Sequence, residues 1–555
     1  MKEFSSKNSL MNFIFIIAFS SLLYIPFIGD SHLFDWDEIN FAEAAREMIE
    51  TGDYLTVRID YEPFHEKPPL FIWLQVLSMK AFGITEFAAR FPNSIIGIIS
   101  MLVLFNLGRK LVDERFGFLF VLAYTSSILP LFYFKSGLID PLFNLLMFVS
   151  VWYLFKSFNL DLDKFQINYK YIVLAGIFDG LAVLTKGPVG FLLVILTFLI
   201  YNVMNYKKMK FPFLAYLLFG LISFIPIILW YVALAVQLGD ISIIYQFVKY
   251  QIRLFSTGDA GHSGPFYYHF LVLLFGVFPS SIFALRGIRN TNNNSNITQF
   301  SVWMGILFFV VLILFSIVKT KIIHYSSLAY FPIAFFAAKG IYNLLYSRLN
   351  WKPSTNWLIA IIGLPIAIIT SLLPFAMMNI EMILPKIKDK FTYKILSGNY
   401  FWEGNEWIPG SLFLIGIIIA LILFIRKKYL NGIVILYAFT TIFMVTLLPF
   451  LIPKIEQYTQ LTPITFYKSL QNEDCYIYPY SFKTYAHYFY AEMDFDESRA
   501  SKNMSREEWR EYLLNGEVDK KVYIIAKYNK YKELSQHPNL IEVFNKNGWV
   551  GFARK

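Results

Sequence analysis

Two short clusters of ionisable residues near the start of the chain carry groups that acid–base or ionic chemistry needs. Asp35, Asp37 and Glu38 lie close together, and Glu66 and Lys67 follow further along the chain. Adjacent carboxylates in a weakly polar setting can supply a general base or bind a cation, because burial and like charge push their pKa values apart. For an arbitrary loop the simpler interpretation is favoured, in which solvated acids cap a helix N-terminus.

Further ionisable and phenolic residues stand at the ends of apolar runs, where charge is costly. They are Lys135, Asp140, Lys186, His262, Tyr268, Lys319, Lys321, His324 and Tyr325. An ionisable side chain at membrane depth is a candidate for function, although a single lysine near a helix end commonly reaches the interface without a further role. Because several of these residues lie at the same end of the runs, the pattern favours a functional site there. Its cations would suit a phosphate, and its carboxylates and imidazoles could act as a base or hold a divalent metal.

The composition indicates that such a site lies in a membrane protein. The chain of 555 residues is 56% hydrophobic and 16% charged, with a mean hydropathy of +0.50, which excludes an ordinary soluble protein. Its net charge of +10 does not indicate nucleic acid binding, since most basic residues lie in short loops between apolar runs. The single cysteine, Cys475, excludes an intramolecular disulfide and a thiolate metal cluster.

About thirteen apolar runs predict an all-α polytopic membrane protein. They lie near 11–28, 92–108, 116–134, 138–157, 171–185, 188–204, 212–237, 267–285, 301–318, 324–345, 356–378, 409–425 and 430–451. Lys and Arg clusters follow even-numbered runs, so the N-terminus is expected in the cytoplasm and the C-terminus outside. The first run is expected to be a retained anchor. Residues 29–90 would form the first outer loop, with an amphipathic helix at 38–50 along the membrane surface.

Beyond Pro453 the composition changes to that of a small soluble domain. The predicted elements are strands at Cys475–Tyr478 and Val522–Ala526, a helix from Ser505 to Leu514, and a terminal hairpin of 541–544 and 549–553. We therefore expect a membrane domain at 1–452 and a small α/β domain, lying outside the membrane, at 453–555.

Several motifs in the same order resemble those of the lipid-linked-sugar glycosyltransferases of the GT-C superfamily, especially bacterial aminoarabinose transferases and the related protein O-mannosyltransferases. The motifs are Asp37-Glu38-x-x-Phe41-x-Glu43-x-x-Arg46-Glu47-Met48, Gly52-Asp53-Tyr54, Glu66-Lys67-Pro68-Pro69-Leu70, Leu138-Ile139-Asp140-Pro141, Leu184-Thr185-Lys186-Gly187-Pro188, His262-x-x-Pro265-Phe266-Tyr267-Tyr268 and Lys321-x-x-x-Tyr325. His65 replaces a usual aromatic residue, and Ser263 stands where a basic residue is usual. Both lie near the expected donor site, so the identity of the sugar is left open.

The resemblance implies inverting transfer of a sugar from a polyprenyl phosphate to an acceptor outside a bacterial inner membrane. Asp37 would be the general base, with Asp140 and Glu38 as further catalytic carboxylates. Glu66 and His262 would bind a divalent metal, either Zn, Mg or Mn. The residues that would hold the lipid phosphate are Lys67, Arg58, Lys186, Arg253, Lys321 and Tyr325. Stabilisation of the departing phosphate is the expected main catalytic effect.

The expected partners are the lipid bilayer, the donor and an acceptor, without nucleic acid, and the expected state is a monomer. Lipid A or another glycolipid is the first expectation for the acceptor, and a protein is the alternative. A transporter or flippase for a lipid-linked sugar would need similar cations, but it should show paired internal repeats and helices broken at mid-membrane. A non-catalytic scaffold would tolerate the loss of Asp37 and Lys67.

Overall fold

The computed structural model describes residues 2–64, 66–159, 166–207, 211–246, 249, 264–288, 295–347 and 349–555. Most of these residues are helical. The helices of the first half are α1 Lys2–Tyr24, α2 Asp37–Thr51, α3 Leu70–Phe82, α4 Glu86–Leu111, α5 Glu114–Thr125, α6 Ile128–Tyr133, α7 Asp140–Ser157, α8 Tyr169–Lys186, α9 Val189–Met204 and α10 Phe213–Leu238.

The second half continues with helices and then a sheet. Its helices are α11 Tyr268–Gly276, α12 Ser280–Gly287, α13 Ser295–Ile317, α14 Tyr330–Tyr346, α15 Pro353–Met378, α16 Lys390–Leu396, α17 Ile408–Ile425, α18 Tyr429–Thr459, α19 Leu461–Ser469, α20 Ala486–Ala491, α21 Arg506–Asn515 and α22 Tyr531–Ser535. The strands of the whole chain are β1 Arg58–Ile59, β2 Glu62–Pro63, β3 Phe158–Asn159, β4 Gln166–Ile167, β5 Cys475–Tyr480, β6 Lys521–Lys527, β7 Leu540–Lys546 and β8 Trp549–Arg554. A 3₁₀ helix at Ile323–Ala329 leads directly into α14.

An α-helical multi-pass membrane fold is confirmed. Among the described residues, seven helices are long and apolar enough to cross a membrane, namely α4, α10, α13, α14 together with its 3₁₀ turn, α15, α17 and α18. The pair α11 and α12, bent by 102°, makes an eighth when it is taken as one span. All the predicted apolar runs coincide with helices, but the helices of five runs, namely α1, α5 with α6, α7, α8 and α9, do not reach this standard of length and composition. The count of about thirteen spans therefore stays a prediction.

One predicted span, 116–134, is interrupted in the structure. It forms α5 and α6, which are separated at Ser126 and Ser127. Pro130 lacks the N–H that would bond back to the carbonyl of Ser126, and the Ser127 hydroxyl instead donates to the carbonyl of Ala123 at 2.7 Å. The short α6 therefore turns away from α5 and brings Phe132 and Lys135 to the wall of a cavity.

The predicted amphipathic helix of the first loop is present as α2, which ends at Gly52 in the left-handed region (φ +68°). It is not exposed along a surface as expected, since its residues from Glu38 to Met48 are buried. Arg46 makes two bonds to Glu43, at 2.9 and 2.8 Å, and also donates to the carbonyl of Met493 at 2.8 Å. The Arg46–Glu43 pair neutralises two of the buried charges of the helix, and the bond to Met493 joins the helix to the C-terminal region that covers it.

The predicted strands, helix and hairpin of the C-terminal region are confirmed. The sheet has the order β5-β6-β8-β7, in which β5 and β6 are parallel and the other pairs are antiparallel. Ser505 and Glu508 form a capping box at the start of α21. Helix α18 continues past Pro453 to Thr459, and the division of the chain at 452 stays a prediction.

Candidate active site

A cavity of about 880 Å³ brings together residues that are distant in the sequence. Its walls come from the first loop, α7, α8, α9, the end of α13, the Ile323–Ala329 turn, α18 and the C-terminal region. The predicted site residues that line it are Asp37, Glu38, Glu66, Lys67, Asp140, Lys186 and Tyr325. Five of the seven motifs that resembled one family therefore contribute residues to one cavity.

Asp37, at the first position of α2, is the more accessible of two carboxylates that face one imidazole. Its Oδ2 lies 3.6 Å from Nε2 of His324, and Oδ2 of Asp140 lies 4.0 Å from the same nitrogen. The side chain of Asp37 is 30% exposed and that of Asp140 is 4% exposed. Asp37 can therefore meet a substrate in the cavity, while Asp140 supports the site from within the protein.

Local structure fixes Asp140 and His324 in place. The side-chain amide of Asn93 donates to the carbonyl of Leu138 at 2.6 Å, which holds the chain just before α7. Pro141 is the second residue of α7, in the first turn, where its missing N–H costs nothing. On the other side, Asn144 donates to the Ser327 hydroxyl at 2.7 Å and ties the turn that carries His324 to α7.

Lys186 forms an ion pair with Asp140. Its Nζ lies 2.6 Å from Oδ1 of Asp140 and 5.4 Å from the ring centroid of Tyr325. Lys186 is the last residue of α8 and Asp140 the first of α7, so each charge stands at the helix end whose dipole favours it. Gly187, at φ +101°, turns the chain immediately after Lys186, and Pro188 precedes α9. The apolar runs 171–185 and 188–204 are separated at this motif, and the break between their helices presents the lysine to the cavity.

Lys67 follows Glu66 in the cavity wall and precedes the proline pair that leads into α3. Burial lowers the pKa of Lys67, the nearby charge of Lys186 lowers it further, and the carboxylates of Asp37, Glu66 and Asp140 oppose this shift. Two lysines held close together favour a bound anion, which would relieve their repulsion. The pair is therefore suited to a phosphate.

Glu38 has a different environment from Asp37. Its carboxylate accepts two bonds from Arg90, at 3.0 and 2.8 Å, and backbone N–H bonds from Phe34 at 2.8 Å and Gly137 at 2.5 Å. Burial alone would raise the pKa of Glu38, but Arg90 and these donors outweigh it and the pKa is lowered. These bonds join α2 to α4 and favour a positioning role for Glu38, and its expected catalytic role stays a prediction.

Arg58 and Lys321 are not among the described residues that line the cavity. Arg58, in β1, donates to Oδ2 of Asp53 at 2.6 Å. Lys321 donates to three backbone carbonyls near the end of α13, at 2.9, 2.7 and 2.6 Å. Both cations thus have partners within the fold, and their expected binding of the lipid phosphate has no support from these positions.

Arg253 and His262 lie outside the described residues. Within the described residues there is no cluster of three or more His, Cys, Asp or Glu side chains that could hold a metal ion. Glu66 lines the cavity, but one carboxylate does not supply the ligand set that a divalent metal needs. The metal stays a prediction.

The cavity is also lined by ionisable residues outside the predicted set, namely Asp35, Arg90, Lys135, His324 and Lys483. His324 stood among the ionisable residues at the ends of apolar runs, directly before Tyr325 of a matching motif, so a signal for it existed. Lys483 lies in the C-terminal region, where the sequence carried no motif. Only the folding of the chain brings Lys483 to the cavity that Asp37 also lines.

Known proteins resemble the chain in sequence and in fold. The family model described as dolichyl-phosphate-mannose-protein mannosyltransferase matches residues 66–230. An undecaprenyl phosphate-alpha-4-amino-4-deoxy-L-arabinose arabinosyl transferase of Photorhabdus laumondii is 27% identical over 332 residues, which is 59% of this chain and 58% of that protein. A second transferase of the same name, from Proteus mirabilis, is 28% identical over 341 residues, which is 60% of each. The chain thus spans less than two thirds of the length of these relatives.

The fold is similar over nearly the whole chain to a crystal structure, that of ArnT from Cupriavidus metallidurans bound to undecaprenyl phosphate. The TM-score is 0.71 at 16% sequence identity, with 97% of each chain covered. The apo structure of the same protein gives a TM-score of 0.70, with 99% of this chain and 98% of that chain covered. The resemblance predicted from the motifs is confirmed, and the chain has the fold of this ArnT structure.

Proposed function

We propose that the chain is a membrane glycosyltransferase that moves a sugar from a polyprenyl phosphate to an acceptor. One observation carries this proposal. An accessible carboxylate, Asp37, shares a cavity with two lysines, Lys67 and Lys186, whose closeness favours a phosphate. A base and an anion site in one cavity are what transfer from a sugar phosphate requires. The names of the two arabinosyl transferases, which include undecaprenyl phosphate, support this class of donor.

The shape of the cavity suits a donor with a long lipid tail. Leu193, Leu314 and Phe315 form an apolar part of its wall. A second, apolar groove of about 570 Å³ runs between α9 and α13, and Leu314 lines both spaces. In the proposed complex the phosphate lies at Lys67 and Lys186 with Tyr325 beside it, and the polyprenyl chain leaves along this groove.

The proposed reaction is a single displacement with inversion. An acceptor oxygen attacks the anomeric carbon, and the bond from that carbon to the phosphate oxygen breaks. When the acceptor is a hydroxyl, Asp37 takes its proton. The phosphate leaves with one more negative charge than it had in the donor, and Lys67 and Lys186 stabilise that charge as it develops. His324, whose Nε2 faces both Asp37 and Asp140, orients the base.

The acceptor in this proposal is lipid A or another glycolipid. A protein acceptor is the second candidate, because residues 66–230 match a family described as acting in protein mannosylation. The proposed location is a bacterial inner membrane with the N-terminus in the cytoplasm and the cavity on the outer side. The Lys and Arg clusters after even-numbered apolar runs support that orientation.

The experiment that tests the proposal has two parts. Purified protein in lipid nanodiscs is given synthetic polyprenyl-phosphate sugars, and release of polyprenyl phosphate is followed by mass spectrometry. Lipids and envelope proteins of a deletion strain are then compared with those of the parent, since a missing hexose or aminopentose identifies both sugar and acceptor. Sugar-dependent release and a matching loss in the strain are expected. A protein that releases no polyprenyl phosphate from any such donor would contradict the proposal.

A further inference from the structure

A lysine of the C-terminal region, Lys483, lies in the segment between β5 and α20 and lines the same cavity as Asp37. Its Nζ lies 4.6 Å from the ring centroid of Trp36, the residue directly before Asp37. An ammonium group over an indole face is attracted by the ring. This contact places the charge of Lys483 beside Trp36, the neighbour of Asp37 in the chain.

The segment that carries Lys483 is held firmly against the first loop. Thr484 lies beside Asp35, where its side chain lowers the pKa of that carboxyl, and the ring of Tyr485 lies 5.5 Å from that of Trp36. Thr484 and Tyr485 are both buried. Three consecutive residues, 483–485, therefore clamp the two residues that precede Asp37. The position of the ammonium group is thus better defined than that of an ordinary surface lysine.

The other charged residues of the cavity indicate what a cation at this position would do. Asp35, Asp37 and Glu66 all line the cavity and would repel an anionic substrate. Lys67, Lys135 and Lys186 line the same cavity and offset this repulsion, but Lys186 already neutralises Asp140 and Lys135 donates to the carbonyl of Pro26 at 2.7 Å. A further cation is needed wherever a second anionic group approaches the base, and Lys483 supplies one from the C-terminal region.

We propose that Lys483 is a further substrate-binding residue, which binds a phosphate oxygen of one of the two lipid substrates. This inference rests on the proposed glycosyltransferase function. The phosphate belongs either to the polyprenyl donor or to the acceptor lipid. Both present the same chemistry to an ammonium group, so the experiment separates them.

The test compares Lys483→Gln, which removes the charge, with Lys483→Arg, which keeps both the charge and the stacking on Trp36. Lys468→Gln is the matched control, because Lys468 also lies over an aromatic ring, 5.2 Å from the centroid of Tyr490, and is not among the described residues that line the cavity. In the nanodisc assay, Lys483→Gln is expected to raise the KM of one lipid about tenfold, the effect of losing one charge-assisted hydrogen bond. Lys483→Arg and the control should match the wild type.

Titrating each lipid at saturating concentrations of the other identifies the source of the phosphate. A higher KM for the polyprenyl-phosphate sugar assigns Lys483 to the donor, and a higher KM for lipid A assigns it to the acceptor. Unchanged values for both would overturn the inference. An equal loss in Lys483→Arg would also overturn it, because it would indicate packing and not charge.

A direct measurement of lipid binding distinguishes failure of the Lys483 proposal from failure of the proposed glycosyltransferase function. Undecaprenyl phosphate and undecaprenol, and lipid A and its dephosphorylated form, are titrated against the purified protein by tryptophan fluorescence. Lys483→Gln should weaken binding of one phosphorylated lipid about tenfold and leave its phosphate-free partner unchanged. If this holds in a protein that transfers no sugar, the proposed function fails and the Lys483 site stands. If the wild type binds neither phosphorylated lipid, both proposals fail.

Discussion

Oδ2 of Asp37 lies 3.6 Å from Nε2 of His324, and Oδ2 of the buried Asp140 lies 4.0 Å from the same nitrogen. One imidazole nitrogen therefore faces both carboxylates, and His324 can orient the accessible one, Asp37, in the cavity. This contact makes the orientation of Asp37 depend on a residue near the start of a distant helix.

Replacing His324 should slow the chemical step more than it weakens binding. We expect His324→Ala to lower kcat about tenfold to a hundredfold, as loss of an orienting group typically does, with the KM of the donor changed little. His324→Gln, which keeps a polar group near Asp37, should recover part of the rate. Initial rates at varied donor concentration measure both parameters. A fall in the melting temperature that accounts for the whole loss of rate would contradict this role.

Lys67 should make donor binding sensitive to alkaline pH. Because burial and the charge of Lys186 lower the pKa of Lys67, the lysine loses its proton at a lower pH than an ordinary lysine does. Affinity for undecaprenyl phosphate should therefore decline as pH rises towards the ordinary lysine value of about 10.4. Lys67→Arg stays charged throughout this range, so its affinity should remain flat. The same alkaline decline in Lys67→Arg would assign the effect to another group.

The Lys186–Asp140 pair predicts a non-additive mutant cycle. Lys186→Met leaves a buried carboxylate uncompensated, which should destabilise the protein by about 3–5 kcal/mol. The double variant Lys186→Met with Asp140→Asn removes both charges and should recover much of that loss, although it should be inactive. Thermal unfolding in detergent and the transfer assay measure the two effects. Additive losses of stability would show that the pair is not coupled.

Glu38 should contribute to stability at neutral pH and lose this contribution in acid. Its pKa is lowered in the folded protein, so its contribution is complete above the unfolded value of about 4.3 and is lost as pH falls through the folded value. Glu38→Gln should lower stability by about 2 kcal/mol at pH 7, because the buried Arg90 loses its charged partner. The variant should also lack the part of the loss of stability in acid that comes from protonation of Glu38. Melting temperatures from pH 7 to pH 3 test both statements.

The sequence predicted much of the cavity because its motifs marked the ends of helices. Asp37, Asp140 and Lys186 each lie at a helix terminus, where a run of apolar residues begins or ends, so a linear pattern located them. The contacts of Glu38 could not be predicted from a linear pattern, because they involve Arg90 in another helix.

The other differences have the same origin in tertiary contacts. Lys321 carries a charge at the expected end of an apolar run, but it bonds to the backbone at the end of α13. Helix α2 has the amphipathic pattern of a surface helix, yet the C-terminal region covers it. Lys483 could be placed only once the packing of that region on the first loop was known.

The rate of sugar transfer by Asp37→Asn tests the account most directly. The substitution keeps the size of the side chain and removes its ability to take a proton. Asp496→Asn, at an exposed site of the C-terminal region, is the matched control. With a polyprenyl-phosphate sugar and a hydroxyl acceptor, Asp37→Asn should lose about a thousandfold in kcat, the range of a general base, and should still bind undecaprenyl phosphate. Transfer at the wild-type rate by this variant would contradict the account.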